Sequence, residues 1–299
     1  MSRGLVAFAV AGSVLAISTA AILLRLSDAA PMVKAFYRLL YASALLAPFA
    51  WWKARDELRA MPRRDWLALG GVGAVLALHF AAWITSLDLT SVAASVVLVT
   101  LHPVFVAFVS KRLFGEGVGP LGWLGVVVAL VGGVVIVWGD LAKPQSVRGD
   151  ALALVGALAA AIYFLAGRGY RRRLSLLAYV MPVYAGAALV LGVLTFLPAP
   201  YGGPVAGLPM REHALFLALA VVPMILGHTV LNWALKHVTA PVIATSIVGE
   251  PVGSTILALL VLGEAPPATA LAGGIVVLVG ILLVATVEAR RPSTVAPTG

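Results

Sequence analysis

The chain has 299 residues; 62% are hydrophobic and 11% charged, and the formal net charge is +9. Soluble domains carry about a quarter charged residues, so this composition excludes an ordinary soluble protein. The absence of cysteine excludes disulfides, thiolate metal sites and a Cys nucleophile.

Positive charge in a soluble protein would point to nucleic acid. Here it sits in short loops between apolar runs, the pattern of loops facing anionic lipid. A helix crosses a hydrocarbon core of about 30 Å with roughly 20 apolar residues. Runs of that length are predicted at 4–24, 32–52, 66–86, 92–110, 120–138, 150–168, 176–197, 213–235, 241–262 and 269–287. Ten spans leave only short loops, so the expectation is an all-α integral membrane protein with ten transmembrane helices and no separate soluble domain.

The first run follows Met1-Ser2-Arg3 and is too long for a signal-peptide core, so it is taken as a span. The second carries Lys34 and Arg38 one turn apart. Arg38 lies about 9 Å from the expected helix start. It can snorkel to the membrane surface or, alternatively, meet a substrate carboxylate. The third run places His79 and Trp83 at i and i+4 on one face. Its Gly70, Gly71 and Gly73 make no dinucleotide motif.

The fourth run holds His102 before Pro103, and the sixth holds Tyr163. The eighth pairs His228 with Asn232, the only Asn of the chain, and adds Trp233. The ninth holds Glu250 before Pro251, about ten residues or 15 Å from the span boundary. It is the only acid deep in a span. There it can bind a proton reversibly, hold a substrate ammonium group, or simply bond a neighbouring helix. Ser246 and Ser254 flank it at i−4 and i+4. A proline inside a helix frees the carbonyl four residues back, here Val99 and Ile247, and permits a kink. The matched pair Pro103 and Pro251, with His102, are therefore candidate gating residues. Trp83 and Trp233 would supply flat walls for an aromatic or cationic ligand. The glycine pairs Gly132-Gly133 and Gly273-Gly274 are expected at close helix contacts.

Orientation follows from the basic residues. With the N-terminus inside, one side holds Arg3, Lys53, Arg55, Arg59, Arg63, Arg64, Lys111, Arg112, Arg168, Arg171, Arg172, Arg173, Lys236, Arg290 and Arg291. The other holds Arg25, Lys143, Arg148 and Arg211. This bias of 15 to 4 predicts cytoplasmic termini in a multi-pass protein of the inner (plasma) membrane.

The chain also repeats itself. Leu101-His102-Pro103-Val104 aligns with Gly249-Glu250-Pro251-Val252 at an offset of 148. At the same offset Leu113-Phe114-Gly115-Glu116 meets Val261-Leu262-Gly263-Glu264, Gly125 meets Gly273 and Gly132 meets Gly280. The halves are 1–143 and 149–299. Five spans in each force the second half to enter the bilayer from the opposite side, and inverted repeats of this kind are a transporter architecture.

In each half a hairpin leads through a Pro-bearing helix to a Gly-Glu and one more Gly-rich helix. These are Ser95–Val104, Leu113–Glu116 and Pro120–Val137, then Thr245–Val252, Leu262–Glu264 and Thr269–Val284. This resembles the EamA domain of the drug/metabolite transporter superfamily, duplicated over the whole chain. The resemblance implies ten helices in two inverted five-helix repeats. It also implies export of small metabolites, commonly amino acids, by alternating access; aromatic amino acid exporters of the YddG type are among the members. One departure is that His102 stands in the slot that Glu250 fills in the other half.

The expected function is export of a small-molecule substrate, an amino acid, through a central cavity between the repeats. The candidate binding residues are Lys34, Arg38, His79, Trp83, Tyr163, His228, Asn232, Trp233 and Glu250. A multidrug or cation exporter of the same fold is the alternative. An intramembrane enzyme is disfavoured, since HExxH and GxSxG motifs are missing and there is one deep acid. A membrane scaffold would not need matched kinks. No cofactor, metal or nucleic acid is expected; the lipid bilayer is a partner, and nothing here requires more than a monomer.

Overall fold

The structure, a computed structural model, describes residues 3–114, 119–238, 243–244, 246–247 and 249–289. Gly115 and Glu116 of the repeated Gly-Glu, Thr239 and Ala240 of the second hairpin, Thr245, and Arg290 and Arg291 lie outside the described residues.

The described residues form helices and no strand. In chain order these are α1 (Arg3–Ser18), α2 (Ala20–Arg25), α3 (Pro31–Lys53), α4 (Arg55–Ala60), α5 (Arg63–Leu87), α6 (Val92–Val99), α7 (His102–Phe114), α8 (Pro120–Asp140), α9 (Pro144–Tyr170) and α10 (Leu176–Leu194). Next, α11 (Met210–Leu219) widens into a π-helical stretch, Ala220–Thr229, and continues as α12 (Val230–Ala234). Then α13 (Gly249–Leu257) runs into a second π-helical stretch, Ala258–Leu262, and α14 (Ala268–Ala289) closes the order.

Local chemistry sets many of these limits. Proline opens α3, α8 and α9, where its missing N–H costs nothing. Ser91 and Ser175 cap α6 and α10 by accepting from Ala94 N and Ala178 N. The first π-helical stretch contains Pro223, which cannot donate to the helical ladder. Gly263 ends the second with φ +66, a conformation that favours glycine.

Among the described residues, six helical stretches are long and apolar enough to cross a membrane: Gly4–Arg25, Arg63–Leu87, Pro120–Asp140, Pro144–Tyr170, Leu176–Leu194 and Met210–Ala234. Three shorter apolar helices, Val92–Val106, Gly249–Leu262 and Ala268–Leu283, accompany them. This is a multi-pass membrane protein. Many large apolar side chains face outward, among them Phe8, Leu15, Trp138, Leu189 and Leu260. Two expected spans are less regular than the hydropathy implies. The first is interrupted at Thr19, whose hydroxyl bonds the Ala16 carbonyl at 2.8 Å. The fourth breaks between Val99 and His102. The short α4, with Arg55, Asp56 and Glu57 in its first turn, lies between the expected runs 32–52 and 66–86.

Helices α8 and α14 meet along a glycine seam. A Cβ on Gly132 would lie 2.6 Å from Gly273 O and 2.6 Å from Val277 N; one on Gly280 would lie 2.6 Å from Gly125 O. Residue 132 thus faces 273 while 125 faces 280, so the two helices run antiparallel. Elsewhere α9 packs on α5, α6 and α7, and α1 on the first π-helical stretch and α13. Helix α10 packs on α3 and α5, and α3 also touches α11 and the π-helical stretch.

Charged groups gather at two opposite ends. At the first end Arg173 holds Asp65 bidentately at 2.9 and 3.0 Å, and Ser175 N donates to Glu57 at 2.8 Å. The second end joins the α2–α3, α5–α6 and α13–α14 connections. There Arg25 pairs with Glu264 at 3.1 Å, Lys34 with Asp88 at 3.6 Å and Arg211 with Asp28 at 2.9 Å. The other oxygen of Glu264 accepts Val92 N at 2.7 Å.

Candidate functional site

Between the ends lies a cavity lined from both halves of the chain. Helix α5 contributes Leu76, His79 and Trp83; the α6–α7 break contributes Val99, Thr100 and His102; α9 contributes Ala160, Tyr163 and Phe164. His228 enters from the first π-helical stretch, and Ile247 and Glu250 from the start of α13. The free volume is about 30 Å³, room for a water or two, so the walls stand nearly closed.

Both prolines act locally as the sequence implies. Pro103 cannot donate to Val99 O, and His102 Nδ1 takes that carbonyl at 3.2 Å. Pro251 cannot donate to Ile247 O, and Glu250 N takes it at 2.8 Å. Each break turns one titratable side chain into the cavity, His102 from one half and Glu250 from the other.

The remaining polar groups are positioned by backbone. His79 Nδ1 donates to Gly156 O at 2.9 Å, which leaves Nε2 of a neutral ring as an acceptor. Its ring stacks on Trp83, with centroids 6.1 Å apart and planes 12° apart. His102 stacks on Phe164 at 5.2 Å, and His228 meets the edge of Phe80 at 5.6 Å. Asn232 stands behind Tyr163: its Nδ2 donates to the Tyr163 hydroxyl at 2.5 Å and to His228 O at 2.8 Å. Trp83 Nε1, His102 Nε2, His228 Nδ1 and Asn232 Oδ1 are buried without a hydrogen-bond partner. Each such group costs about 1–3 kcal/mol, so this concentration marks a place that a polar ligand can satisfy.

Arg38 departs from the snorkelling expectation. It is 0% exposed, and its guanidinium carbon lies 4.3 Å above the Phe80 ring and 6.0 Å from Trp83. None of its nitrogens has a hydrogen-bond partner. The side chain turns into the packing of α3 against α5, where aromatic faces replace water. It sits behind the Phe80 and Trp83 rings, the second of which lines the cavity.

Two further expected binding residues stand away from the cavity lining. Lys34 is engaged with Asp88 in the charge network at the second end. Trp233 packs on His237 at 5.0 Å. The reason is angular: His79 and Trp83 are four residues apart, but His228 and Trp233 are five, which turns Trp233 by about 100°. Asn232 holds the i+4 position instead, and it stands behind Tyr163 rather than in the lining. Ser254 is bonded to Ser18 O at 2.9 Å and ties α13 to α1. Sequence inspection missed Phe80, Phe164 and Thr100; Phe80 and Phe164 are apolar residues inside apolar runs and carry no signal of their own, and the Thr100 hydroxyl is held by Val96 O in its own helix. Among the described residues no three His, Cys, Asp or Glu side chains are grouped to hold a metal ion.

Comparison with known proteins agrees with this architecture. The chain is similar to the uncharacterized transporter YdfC of Bacillus subtilis (strain 168), 26% identical over 249 residues, covering 83% of this chain and 79% of that protein. It is also similar to an uncharacterized transporter of Archaeoglobus fulgidus, 28% identical over 270 residues, covering 86% and 89%. A crystal structure covering 97% of this chain and 99% of its own superposes with a TM-score of 0.70 at 19% identity, which shows the shared fold. The EamA-like transporter family matches twice in succession, at residues 2–138 and 147–286. With nearly the whole chain inside those two matches, this multi-pass membrane protein belongs to the EamA-like transporter family of the drug/metabolite transporter superfamily, whose members carry small molecules.

Proposed function

We propose that the protein exports an amino acid, aromatic ones included, by alternating access through the cavity between two inverted five-helix repeats. The observation that carries the reading is the cavity itself, where Glu250 and His102 arrive from equivalent breaks in the two halves beside aromatic walls and unpartnered polar atoms. Glu250 offers a carboxylate to the substrate ammonium. Arg38 offers a guanidinium to its carboxylate once Phe80 moves aside. Trp83 and Tyr163 provide the wall for its side chain.

Several features support ten crossings and inversion. Helices α8 and α14 are equivalent in the repeat yet antiparallel, and their contacts 125–280 and 132–273 exchange when the halves exchange. The pairing of α5 with α9 likewise answers that of the first π-helical stretch with α1. The small volume of the cavity fits an occluded stage of a cycle, with each end opening in turn. The decisive experiment is transport of a radiolabelled amino acid panel by purified protein in proteoliposomes. Stimulated movement of aromatic amino acids is expected; movement of flat organic cations alone would favour the multidrug alternative, and no movement of any solute would sink the transport reading.

Two predictions attach to this reading. Both termini should be cytoplasmic in the inner membrane. Alkaline phosphatase fused after Gly299 should be inactive in a bacterial host and a fluorescent protein there bright, and the reverse result would defeat the orientation. Trp83→Ala should weaken transport of an aromatic substrate by about 1–3 kcal/mol of lost burial, and of threonine by less. Equal losses for both in the same assay would make Trp83 structural.

A further inference from the structure

At the second end, beside the turn that joins α5 to α6, two carboxylates are shut away from water. Asp140 closes α8 and is 7% exposed; Asp150, in the second turn of α9, is 0% exposed. Thr90, buried in the turn, stands with both. Its hydroxyl donates to Asp140 Oδ2 at 3.4 Å and also faces the Asp150 side chain. One hydroxyl proton serves one acceptor, and neither oxygen of Asp150 has a hydrogen-bond partner. The backbone is pressed close here: a Cβ on Gly149 would meet Thr90 N at 3.0 Å, so Asp150 is held against the turn.

The neighbouring cations are committed elsewhere or face outward. Arg25 donates to the Thr90 carbonyl at 3.2 Å and pairs with Glu264. Lys34 pairs with Asp88. Lys143 and Arg148 are exposed. Two buried carboxylates that share a single hydroxyl carry more negative charge than that hydroxyl can offset.

We infer that Asp140, Asp150 and Thr90 form a binding site for one small monovalent cation, a proton or a sodium ion, separate from the central cavity. The donors are all hard oxygens, which suits either ion. Magnesium keeps several waters and calcium takes six to eight oxygens, whereas this site is buried and its three side chains carry five. Thr90 also joins the site to the end of the molecule. Its carbonyl is held by Arg25, which grips Glu264 of the other half, so an occupied site steadies the turn on which both halves meet. The inference does not depend on which solute the cavity carries.

Purified full-length protein in detergent provides the test. In one arm, thermal unfolding is followed by tryptophan fluorescence in sodium chloride and in choline chloride of equal ionic strength. In the other, infrared absorption of protonated carboxyl groups is titrated with pH in an E250Q background, so that Glu250 does not contribute. A sodium-specific rise in Tm identifies sodium; a titrating carboxyl band, with sodium and choline alike, identifies a proton. Asp150→Asn, nearly isosteric, should abolish whichever response is seen, and Asp140→Asn serves as the second variant should the first not fold. Responses that persist undiminished in both variants overturn the site. So does a rise in Tm with calcium or magnesium in place of sodium, or the absence of both responses in the parent proteins.

Discussion

In proteoliposomes, Glu250→Gln is expected to weaken transport of an amino acid by about tenfold to a hundredfold, the loss of one charge-assisted hydrogen bond of about 1.5–3 kcal/mol. Glutamine keeps the size of the side chain and its carbonyl but fixes the neutral form. Glu250 lines the cavity just before Pro251, together with His102, Trp83, Tyr163 and Phe164. If it holds the substrate ammonium, the loss appears at every pH, and an analogue that keeps the ring and carboxylate but lacks the ammonium is carried at the parent rate. If it carries a coupling proton instead, exchange of substrate survives while pH-driven accumulation disappears. Parent rates with parent pH dependence for amino acid and analogue would reduce Glu250 to a bond between helices, and would leave function to the aromatic walls and the proline breaks.

The second large effect is structural. Gly132→Ala is expected to destabilise the protein by about 3 kcal/mol, and Gly132→Leu to abolish recovery of monodisperse protein. The added Cβ would sit 2.6 Å from Gly273 O and Val277 N, which are backbone atoms of α14 and cannot turn away as a side chain could. The helices must separate, and the adjoining contact of Gly280 with Gly125 and Ala129 opens with them. In a membrane, helix association depends on such close approach, because lipid is as apolar as the side chains it would replace. Gly12→Ala is the control, since a Cβ there meets nothing within 4 Å. Size-exclusion profiles and thermal unfolding of the three variants in detergent measure the effect; a Gly132→Ala protein as stable as Gly12→Ala would mean that the seam tolerates separation.

The cavity shows why helix spacing alone placed some residues and not others. His79 and Trp83 share a face at i and i+4, and both line the cavity. His102 and Glu250 were recognisable because a proline follows each, and the breaks at Pro103 and Pro251 expose them. Trp233 resembled Trp83 in composition but sits one residue out of phase, so it packs on His237. Arg38 lay within snorkelling distance of the surface, yet its guanidinium lies over Phe80. A long flexible side chain can turn either way from the same Cα, and the helices around it choose.

What this sequence determined by itself is what depends on solvent and backbone chemistry. The apolar runs specify helices that cross a bilayer, because a chain in hydrocarbon must satisfy its own backbone. Proline positions specify the breaks, because a missing N–H cannot be restored. The glycine pairs specify where two helices touch, because only there is there no side chain to keep them apart. The tertiary structure decided what depends on neighbours distant in sequence. It set which face of each helix turns inward, and it closed the walls to a free volume of about 30 Å³. It also brought Asp140, Asp150 and Thr90, from three different stretches of chain, into one buried cluster. Each of those acids lies near a helix end, where the sequence implies contact with water; only the packing of α8, α9 and the α5–α6 turn removes it.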